Sequence, residues 1–437
     1  MLADALLTPM TDRTWDDVLS PHIYVFYAAF IISFIFTPVM RSVAVYYNIV
    51  DQPDQSRKLH SLPVAYLGGV AVFMGWVAGL AMTQLHIVDP SSHLRVKISL
   101  VIGGATIVVL GLWDDVYKIK PSYKIIGQVA AAVLLLCEGV GMHCLGPMID
   151  PINLRIVNAL GPQYVIPDTI TTILSSVMVI VLVVGCCNAT NLLDGLDGLC
   201  GGVTAIIAAG FLFLAVHLAT HWDSEWNPVR VVLGLALLGA VLGFIPYNFN
   251  PASIFMGDTG SMFLGYACAV MIILLMNEAS KWFLASMVMF ALPIMDTILA
   301  FARRWVNGRP LFSADRHHFH HQLVARGYSV RKTVIVSYGL AVGFCLLGTF
   351  IVYMRTRYAI AFYLVIFGSI IVAAYKMGMV HEKTRVVSPS PLGSTDAATS
   401  QGSYEPTSVL ELPEPVNALP ITNTAIAVPA RGNLSAK

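Results

Sequence analysis

The stretch TITTILSSVMVIVLVVGCC, residues 169–187, decides the fold class, because it is long enough to cross a membrane and carries no charged residue. Backbone polar groups in lipid must be satisfied internally, and runs without period-two alternation predict helices rather than barrel strands. Similar runs recur along the chain. We therefore expect an all-α polytopic membrane bundle with about eleven spans, near residues 22–40, 65–85, 98–113, 125–146, 169–187, 199–219, 231–247, 259–276, 282–302, 333–353 and 358–375.

The composition agrees with a membrane protein. Of the 437 residues 57% are hydrophobic and 12% are charged, against about 25% charged residues in a soluble domain. This excludes a disordered chain, a collagen or a secreted disulfide scaffold as a description of the whole chain. The seven cysteines lie in or beside apolar spans without CxxC spacing, so we expect neither a disulfide framework nor a zinc site. We expect no nucleic-acid partner, although the formal net charge of +1 does not itself bear on this, because the distribution of charge matters here and the sum does not.

The distribution of lysine and arginine predicts the orientation. One set of alternate loops, together with the C-terminal tail, holds 18 of the 26 basic residues, so this set is expected in the cytoplasm. The N-terminus then lies outside and the C-terminus inside. We assign residues 1–21 to an extracytoplasmic segment, 22–376 to the helical bundle and 377–437 to a cytoplasmic tail. The tail becomes rich in Ser, Pro and Thr from about residue 384, which predicts disorder.

Polar residues gather in the predicted cytoplasmic loops, while only Glu138 and Asp296 carry a formal charge inside the spans. Transporters usually place ionisable residues near the middle of the membrane, so this pattern favours an enzyme at the membrane surface. The first polar cluster is WDDVYKIK, residues 113–120, where Asp114 and Asp115 emerge side by side from a span. Adjacent carboxylates repel unless a metal or a proton relieves them. The lysines at 118, 120 and 124 could follow the positive-inside bias, face phosphates, or do both.

The second cluster is NATNLLDGLDGL, residues 188–199. Asn191, Asp194 and Asp197 are spaced three apart, which lines them along one face of a helix. Helix capping explains some of these groups, but two amides and two carboxylates exceed what capping needs. The glycines would let a ligand approach the backbone closely.

Two further clusters lie closer to the C-terminus. In NFNPASIFMGDTGS, residues 248–261, Asp258 and Thr259 open a span, where they can cap the helix or hold an anion or a metal beside it. In DRHHFHHQL, residues 315–323, four histidines fall within five positions. Histidines at this spacing can bind a transition metal, but the nearby Arg309 and Arg316 favour a phosphate-rich ligand.

The four clusters converge on one side of the membrane. Carboxylates and amides can hold Mg²⁺, and a basic loop can neutralise phosphate charge, which is what phosphoryl transfer mainly requires. The membrane setting suggests that one substrate is a lipid.

At these residues the sequence resembles the polyprenyl-phosphate N-acetylhexosamine-1-phosphate transferase family, glycosyltransferase family 4. The resemblance runs from about Arg57 to Tyr328 and rests on RKLHSLPVAYLGG, WDDVYKIKP, NATNLLDGLDGL, NFNPASIFMGDTGS and DRHHFHHQLVARGYS. The histidine loop looks like that of the bacterial undecaprenyl-phosphate N-acetylglucosaminyl-1-phosphate transferases rather than the muramoyl-pentapeptide branch, which typically has three consecutive histidines.

The resemblance implies a reaction and its setting. UDP-N-acetylglucosamine and undecaprenyl phosphate would give undecaprenyl-diphospho-N-acetylglucosamine and UMP with Mg²⁺, with Mn²⁺ as an open alternative. This would be the first lipid-linked step of a cell-surface polysaccharide, at the cytoplasmic face of a bacterial inner membrane. Another UDP-N-acetylhexosamine and a homodimer stay open.

The resemblance also implies roles for residues. Asp114 matches the aspartate proposed to deprotonate the prenyl phosphate, as a base or as a nucleophile, and Asp115 is grouped with it as catalytic. Asp258 and Asn191 are expected to hold the metal. The expected substrate-binding residues are Asn188, Asp194, Asp197, Asn248, Arg316, His317, His318, His320, His321, Lys58 and Lys124.

Two readings of another class remain. A transporter of an anionic or lipid-linked solute would use Glu138 within the membrane and show flux without release of UMP. A metal-sensing scaffold built on the histidine loop would bind zinc even without Asp114 and Asp258.

Overall fold

The computed structural model describes residues 13–51, 63–84, 96–221, 228–308 and 318–376. This part of the chain is almost entirely helical, with one two-stranded antiparallel sheet of β1 Val50–Asp51 and β2 Val64–Ala65. The helices are α1 Trp15–Leu19, α2 Ile23–Tyr46, α3 Gly68–Met82, α4 Ile98–Tyr117, α5 Pro121–Cys137, α6 Gly146–Leu160, α7 Asp168–Leu193, α8 Leu199–His221, α9 Val229–Asn248, α10 Gly257–Met276, α11 Ser280–Met289, α12 Ala291–Val306, α13 Phe319–Ala325, α14 Val330–Val352 and α15 Thr356–Lys376.

The prediction of an all-α membrane bundle is confirmed. A helix, or for one span the bent pair α11 and α12, lies at each of the eleven predicted spans. Within the described residues seven helices are long and apolar enough to cross a membrane, or eight if α11 and α12, which meet at a 71° bend, form one span. Three further apolar helices, α3, α5 and part of α15, are shorter. The number of crossings and the sidedness of the termini stay predictions.

The fourth predicted span, 125–146, extends too far at its C-terminal end. Helix α5 ends at Cys137, and Glu138 follows it, where its Oε2 accepts a hydrogen bond of 3.0 Å from the backbone N–H of Ser99. Gly139 and Gly141 adopt positive φ angles of 74° and 81°, which end the helix. Glu138 therefore lies at the end of a helix and not within a span, contrary to what the transporter reading would need.

The centre of the bundle is α10, in which eighteen of the twenty residues are buried. Three neighbouring helices reach its backbone through glycines. A Cβ on Gly69 of α3 would lie 2.1 Å from the amide nitrogen of Gly260, and one on Gly111 of α4 would lie 2.4 Å from Cα of Thr259. On α10 itself, a Cβ on Gly265 would lie 2.4 Å from a backbone oxygen of α7. Such backbone-to-backbone packing through small residues is typical of membrane helices.

The small sheet fixes where α10 begins. Ala65 of β2 forms a bridge with Ile254, and its carbonyl oxygen accepts a hydrogen bond of 2.8 Å from the N–H of Phe255. The N–H of Gly68 in turn donates to the carbonyl of Phe255 at 3.0 Å. The segment before α3 therefore holds the segment before α10 at the end of the bundle.

We expect Gly69→Ala to destabilise the protein severely, because its new Cβ meets backbone atoms that have no rotamer to change. Overpacking of this kind costs about 1–3 kcal/mol or more. The thermal unfolding midpoint and the yield of monodisperse protein in detergent measure the effect. Gly343→Ala on α14 is the matched control, because nothing lies within 4 Å of its Cβ. Equal midpoints for the two variants would contradict the close contact between α3 and α10.

Candidate active site

Three helices bring two carboxylates and a lysine together at one end of the bundle. Asp114 lies in the last turn of α4, Lys124 in the first turn of α5 and Asp258 in the first turn of α10. Lys124 Nζ lies 2.6 Å from Asp114 Oδ2 and 2.5 Å from Asp258 Oδ2. The side chains of Asp114 and Asp258 are 11% and 30% exposed, so a ligand can reach this carboxylate–lysine bridge. Two predicted acidic residues thus share one cation.

Asp114 and Asp115 face different partners although they are adjacent in the sequence. Asp115 accepts hydrogen bonds from the N–H of Asp258 at 2.8 Å, the N–H of Thr259 at 3.1 Å and Thr259 Oγ1 at 2.6 Å. These N–H groups belong to the first turn of α10, which has no intrahelical acceptor for them. The geometry therefore gives Asp115 the place of a cap that sets the position of Asp258, while its predicted direct part in catalysis stays a prediction.

The end of α7 supplies the two predicted amides. Asn191 Nδ2 donates to Asp258 Oδ1 at 2.9 Å and to Ser261 Oγ at 3.0 Å, so Asn191 lies beside the predicted metal-binding carboxylate. Its amide oxygen remains as an acceptor for a ligand. Asn188 Nδ2 instead donates to Gln128 Oε1 at 2.8 Å, which ties α7 to α5.

The turn after α7 contains the predicted Asp194, which is half-buried. Within the described part of the chain its carboxylate makes no hydrogen bond or ion pair. Burial raises the pKa of Asp194 from about 3.8 to about 8, and the negative charges of Asp258, Asp115 and Asp197 raise it further. A carboxyl group with a raised pKa and no partner can bind a cation such as a metal ion, or take a proton from a substrate. Such groups are typical of functional sites.

The predicted residues Asp197 and Asn248 connect two loops. Asp197 Oδ2 accepts hydrogen bonds from Asn250 Nδ2 at 2.9 Å and from the N–H of Ala252 at 3.0 Å. Asn248 is 4% exposed, and its side chain accepts from the N–H of Gly198 at 3.1 Å and donates to the carbonyl of Ile254 at 3.0 Å. Both side chains thus hold the 194–198 turn against the segment that precedes α10.

The histidine loop docks on the same turn. His320 is 1% exposed, and burial lowers its pKa to about 3, so its ring is neutral near pH 7. A Cβ on Gly195 would lie 2.2 Å from His320 Nε2, so the ring rests directly on the backbone of the turn. The rings of His320 and His321 also lie close together, with their centroids 4.3 Å apart. The predicted residues Lys58, Arg316 and His317 lie outside the described residues.

Sequence reasoning missed several residues that organise this site. The sequence marks Asp296 only as one of two charged residues inside the predicted spans. In the structure its Oδ2 pairs with His318 Nδ1 at 3.0 Å. The spacing of the motifs carries no sign of such a contact, because the partners are 22 residues apart. Other contacts that were not predicted involve Gln128, Asn250, Thr259 and Ser261.

The residues present fit Mg²⁺. Among the described residues no group of three or more His, Cys, Asp and Glu side chains is close enough to hold a metal. Mg²⁺ rarely needs such a cage, since it is usually bound by one or two carboxylates together with water and substrate phosphates. Asp114 and Asp258 already converge on one cation, the ammonium of Lys124. Each carboxylate retains lone pairs for a second cation, and the Asn191 amide oxygen lies beside them.

Comparison with known proteins places the chain among membrane transferases. Residues 97–276 match the profile of the family described as Glycosyl transferase family 4. The chain is 31% identical over 365 residues to a Bacillus subtilis (strain 168) protein named "Probable undecaprenyl-phosphate N-acetylglucosaminyl 1-phosphate transferase", covering 81% of this chain and 93% of that protein.

Two further relatives are named for related reactions. The decaprenyl-phosphate N-acetylglucosaminephosphotransferase of Mycobacterium tuberculosis (strain CDC 1551 / Oshkosh) is 32% identical over 327 residues, which cover 71% of this chain and 77% of the relative. The phospho-N-acetylmuramoyl-pentapeptide-transferase of Bacillus thuringiensis (strain Al Hakam) is 29% identical over 333 residues, which cover 72% and 92%.

We expect Lys124→Met to destabilise the protein, because Asp114 and Asp258 then repel each other without a shared cation. The cost should be about 1–3 kcal/mol, between the values for exposed and buried ion pairs. Thermal unfolding in detergent at low and high salt measures it. Lys120→Met, which removes an exposed lysine at the start of α5, is the control. An unchanged midpoint for Lys124→Met would contradict the bridge.

We expect Asp194→Asn to be more stable than the wild type at about pH 8. Between the ordinary pKa of about 3.8 and the raised value of about 8, the unfolded chain releases the Asp194 proton and the folded chain retains it. The wild type therefore loses stability as the pH rises through this window, and the asparagine variant does not. Thermal midpoints between about pH 5 and pH 8 test this. Asp150→Asn, which removes an exposed carboxylate from α6, is the control. If the difference in thermal midpoint between Asp194→Asn and the wild type does not grow with pH, the raised pKa of Asp194 is contradicted.

Proposed function

Because the chain belongs to the polyprenyl-phosphate N-acetylhexosamine-1-phosphate transferase family, we propose that it moves N-acetylglucosamine 1-phosphate from UDP-N-acetylglucosamine to undecaprenyl phosphate and releases UMP. The protein is a multi-pass membrane phosphotransferase. Two relatives named for transfer of N-acetylglucosamine phosphate to a prenyl phosphate support the choice of sugar. The observation that carries the proposal is the convergence of Asp114, Lys124 and Asp258 beside the turn on which the histidine loop docks.

The reaction forms one phosphorus–oxygen bond and breaks another. An oxygen of the acceptor phosphate attacks the β-phosphorus of the donor, and the bond from that phosphorus to the oxygen bridging the α-phosphorus breaks, so UMP leaves with the electron pair. Little covalent work falls to the protein, which must mainly align the two phosphates and neutralise charge. A bridge of opposite charges that is reachable by ligands suits this task.

Each residue of the bridge has a separate part in the proposed mechanism. Asp114 takes the proton of the acceptor phosphate at Oδ2, while its Oδ1 is held by the N–H of Ile119 at 2.9 Å. Lys124 keeps a positive charge between the carboxylates and donates to phosphate oxygens. Asp258 and Asn191 would hold Mg²⁺, which supplies charge neutralisation on the diphosphate. The first turn of α10 adds its positive dipole end.

The proposed setting is the cytoplasmic face of a bacterial inner membrane, at the first lipid-linked step of a cell-surface polysaccharide. Support comes from the ends of the helices. Helices α4 and α7 end where α5 and α10 begin, so Asp114, Asp194, Lys124 and Asp258 occupy one end of the bundle. The loops assigned to the cytoplasm from the sequence join helices at this end, and together with the C-terminal tail they hold 18 of the 26 basic residues.

We expect purified protein with undecaprenyl phosphate and Mg²⁺ to release UMP from UDP-N-acetylglucosamine in preference to UDP-N-acetylgalactosamine and UDP-N-acetylmuramoyl-pentapeptide. Asp258→Asn and Asp114→Asn should each lower the rate by at least about a hundredfold, in the range of one acid–base or electrostatic group. Radiolabelled donors and analysis of the product lipid measure this.

Two controls accompany the panel. Asp150→Asn removes a carboxylate from α6 and should retain the full rate. Leaving out the acceptor lipid should abolish UMP release if Asp114 acts as a base, whereas one equivalent of UMP per enzyme would indicate a covalent nucleophile. Full activity of Asp258→Asn would contradict the metal assignment, and preference for another donor would overturn the choice of sugar.

A further inference from the structure

Asp296 is an ionisable residue in the otherwise apolar first part of α12, and it is 1% exposed. A buried charge is costly unless it is paired and hydrogen-bonded. Asp296 Oδ2 pairs with His318 Nδ1 at 3.0 Å, and Oδ1 accepts a hydrogen bond of 2.8 Å from the N–H of Phe319. The carboxylate therefore holds both the ring of His318 and the first turn of α13.

The axis of α12 turns by 71° from the axis of α11. In that direction α12 packs against α7 and α14. Helix α7 is the one that ends at Asp194, and α14 follows α13 in the chain. Helix α12 therefore contacts both the helix that leads into the candidate active site and the helix that follows the histidine loop, and Asp296 joins α12 to that loop.

The pairing also decides which nitrogen of His318 is left for a ligand. A carboxylate oxygen can only accept a hydrogen bond, so the His318 proton that it binds must be on Nδ1. Nε2 is then the one ring nitrogen that remains. Carboxylates that hold one nitrogen of a histidine and aim the other at a metal or a substrate recur in enzymes, where they fix the ring and its tautomer.

The ring of His318 is connected through His320 to the turn that carries Asp194. It stacks on the ring of His320 with centroids 5.6 Å apart and planes at 6° to each other. His320 in turn rests on Gly195. A chain of contacts thus runs from Asp296 through His318 and His320 to the 194–198 turn.

We propose that Asp296 is a positioning residue that fixes the ring of His318, which donates one N–H, at Nδ1, to the carboxylate and the other N–H, at Nε2, to the diphosphate of the sugar nucleotide. The inference rests on the proposed function, since it deepens the part of the histidine loop in that reaction. If Asp296 has this role, its substitution should weaken recognition of the water-soluble donor and leave recognition of the lipid acceptor unchanged.

The first experiment compares Asp296→Asn with Thr297→Val. Asparagine keeps the shape and one acceptor oxygen but not the charge. Thr297 is the neighbouring residue, and within the described part of the chain its hydroxyl donates only to the carbonyl of Pro293 in α12, at 3.0 Å. We expect Asp296→Asn to raise KM for UDP-N-acetylglucosamine about tenfold, as loss of a supporting carboxylate usually does. KM for undecaprenyl phosphate should stay within about twofold in both variants, and an equal rise for both substrates would overturn the proposal.

A double-variant cycle shows whether Asp296 acts through His318. The His318→Gln variant keeps a nitrogen near the place of Nε2 but cannot pair with Asp296 in the same way. If the proposal is right, adding Asp296→Asn to it should lower kcat/KM by less than about twofold more, because residues that share one interaction are not additive. If the double variant instead loses kcat/KM by the product of the two single losses, the proposal is overturned.

Calorimetric binding of UDP-N-acetylglucosamine separates this inference from the proposed function. Weaker binding by Asp296→Asn than by Thr297→Val supports the positioning role even if no turnover is seen. Normal binding by the wild type without UMP release would instead overturn the proposed function alone. If Asp296→Asn does not fold, His318→Asn serves, because it keeps a nitrogen near Nδ1 for Asp296 and lacks Nε2. It should fold and bind the donor about tenfold more weakly, and wild-type affinity would overturn the proposal.

Discussion

The structure depends on the burial of α10, whose backbone is in direct contact with the helices around it. Gly69 and Gly111 approach its first turns, and Gly265 on α10 lets α7 approach its middle. Because these contacts involve backbone atoms, the helices have little freedom to slide past one another. The first turn of α10 also carries Asp258. Close backbone-to-backbone packing and the candidate active site therefore lie on the same helix.

Charge is used sparingly around this helix. Asp115 is engaged by the first N–H groups of α10, and Asp114 and Asp258 share Lys124. Asp194 is left without such a partner among the described residues, and its pKa is raised to about 8. In the part of the chain that the structure describes, the site has one lysine for the carboxyl groups of Asp114, Asp115, Asp194 and Asp258, so it is ready for a cation or a proton that arrives with the substrate. Holding these carboxyl groups close together costs folding free energy, and the packed helices keep the groups in place despite their repulsion.

Much of this arrangement follows from the sequence. The long apolar runs predict the helices, and the alternation of loops brings Asp114, Asp194 and Asp258 to one end. The positive φ angles at Gly139 and Gly141 explain why α5 stops before Glu138, although hydropathy alone continues the span. The different partners of Asp114 and Asp115 could not be predicted, because adjacent residues on a helix point about 100° apart and the neighbours are set by packing. The pairing of Asp296 with His318 depends on the bend at Phe290, which no local pattern announces.

The contact of α10 with its neighbours has a consequence for how a lipid and a water-soluble molecule can meet. A carboxylate at the start of a helix that cannot slide stands at a constant depth relative to the bilayer. In the proposed reaction the acceptor must bring its phosphate to that depth, and the donor must descend to it from the water. Recognition of the acceptor then depends on where its phosphate lies relative to the bilayer.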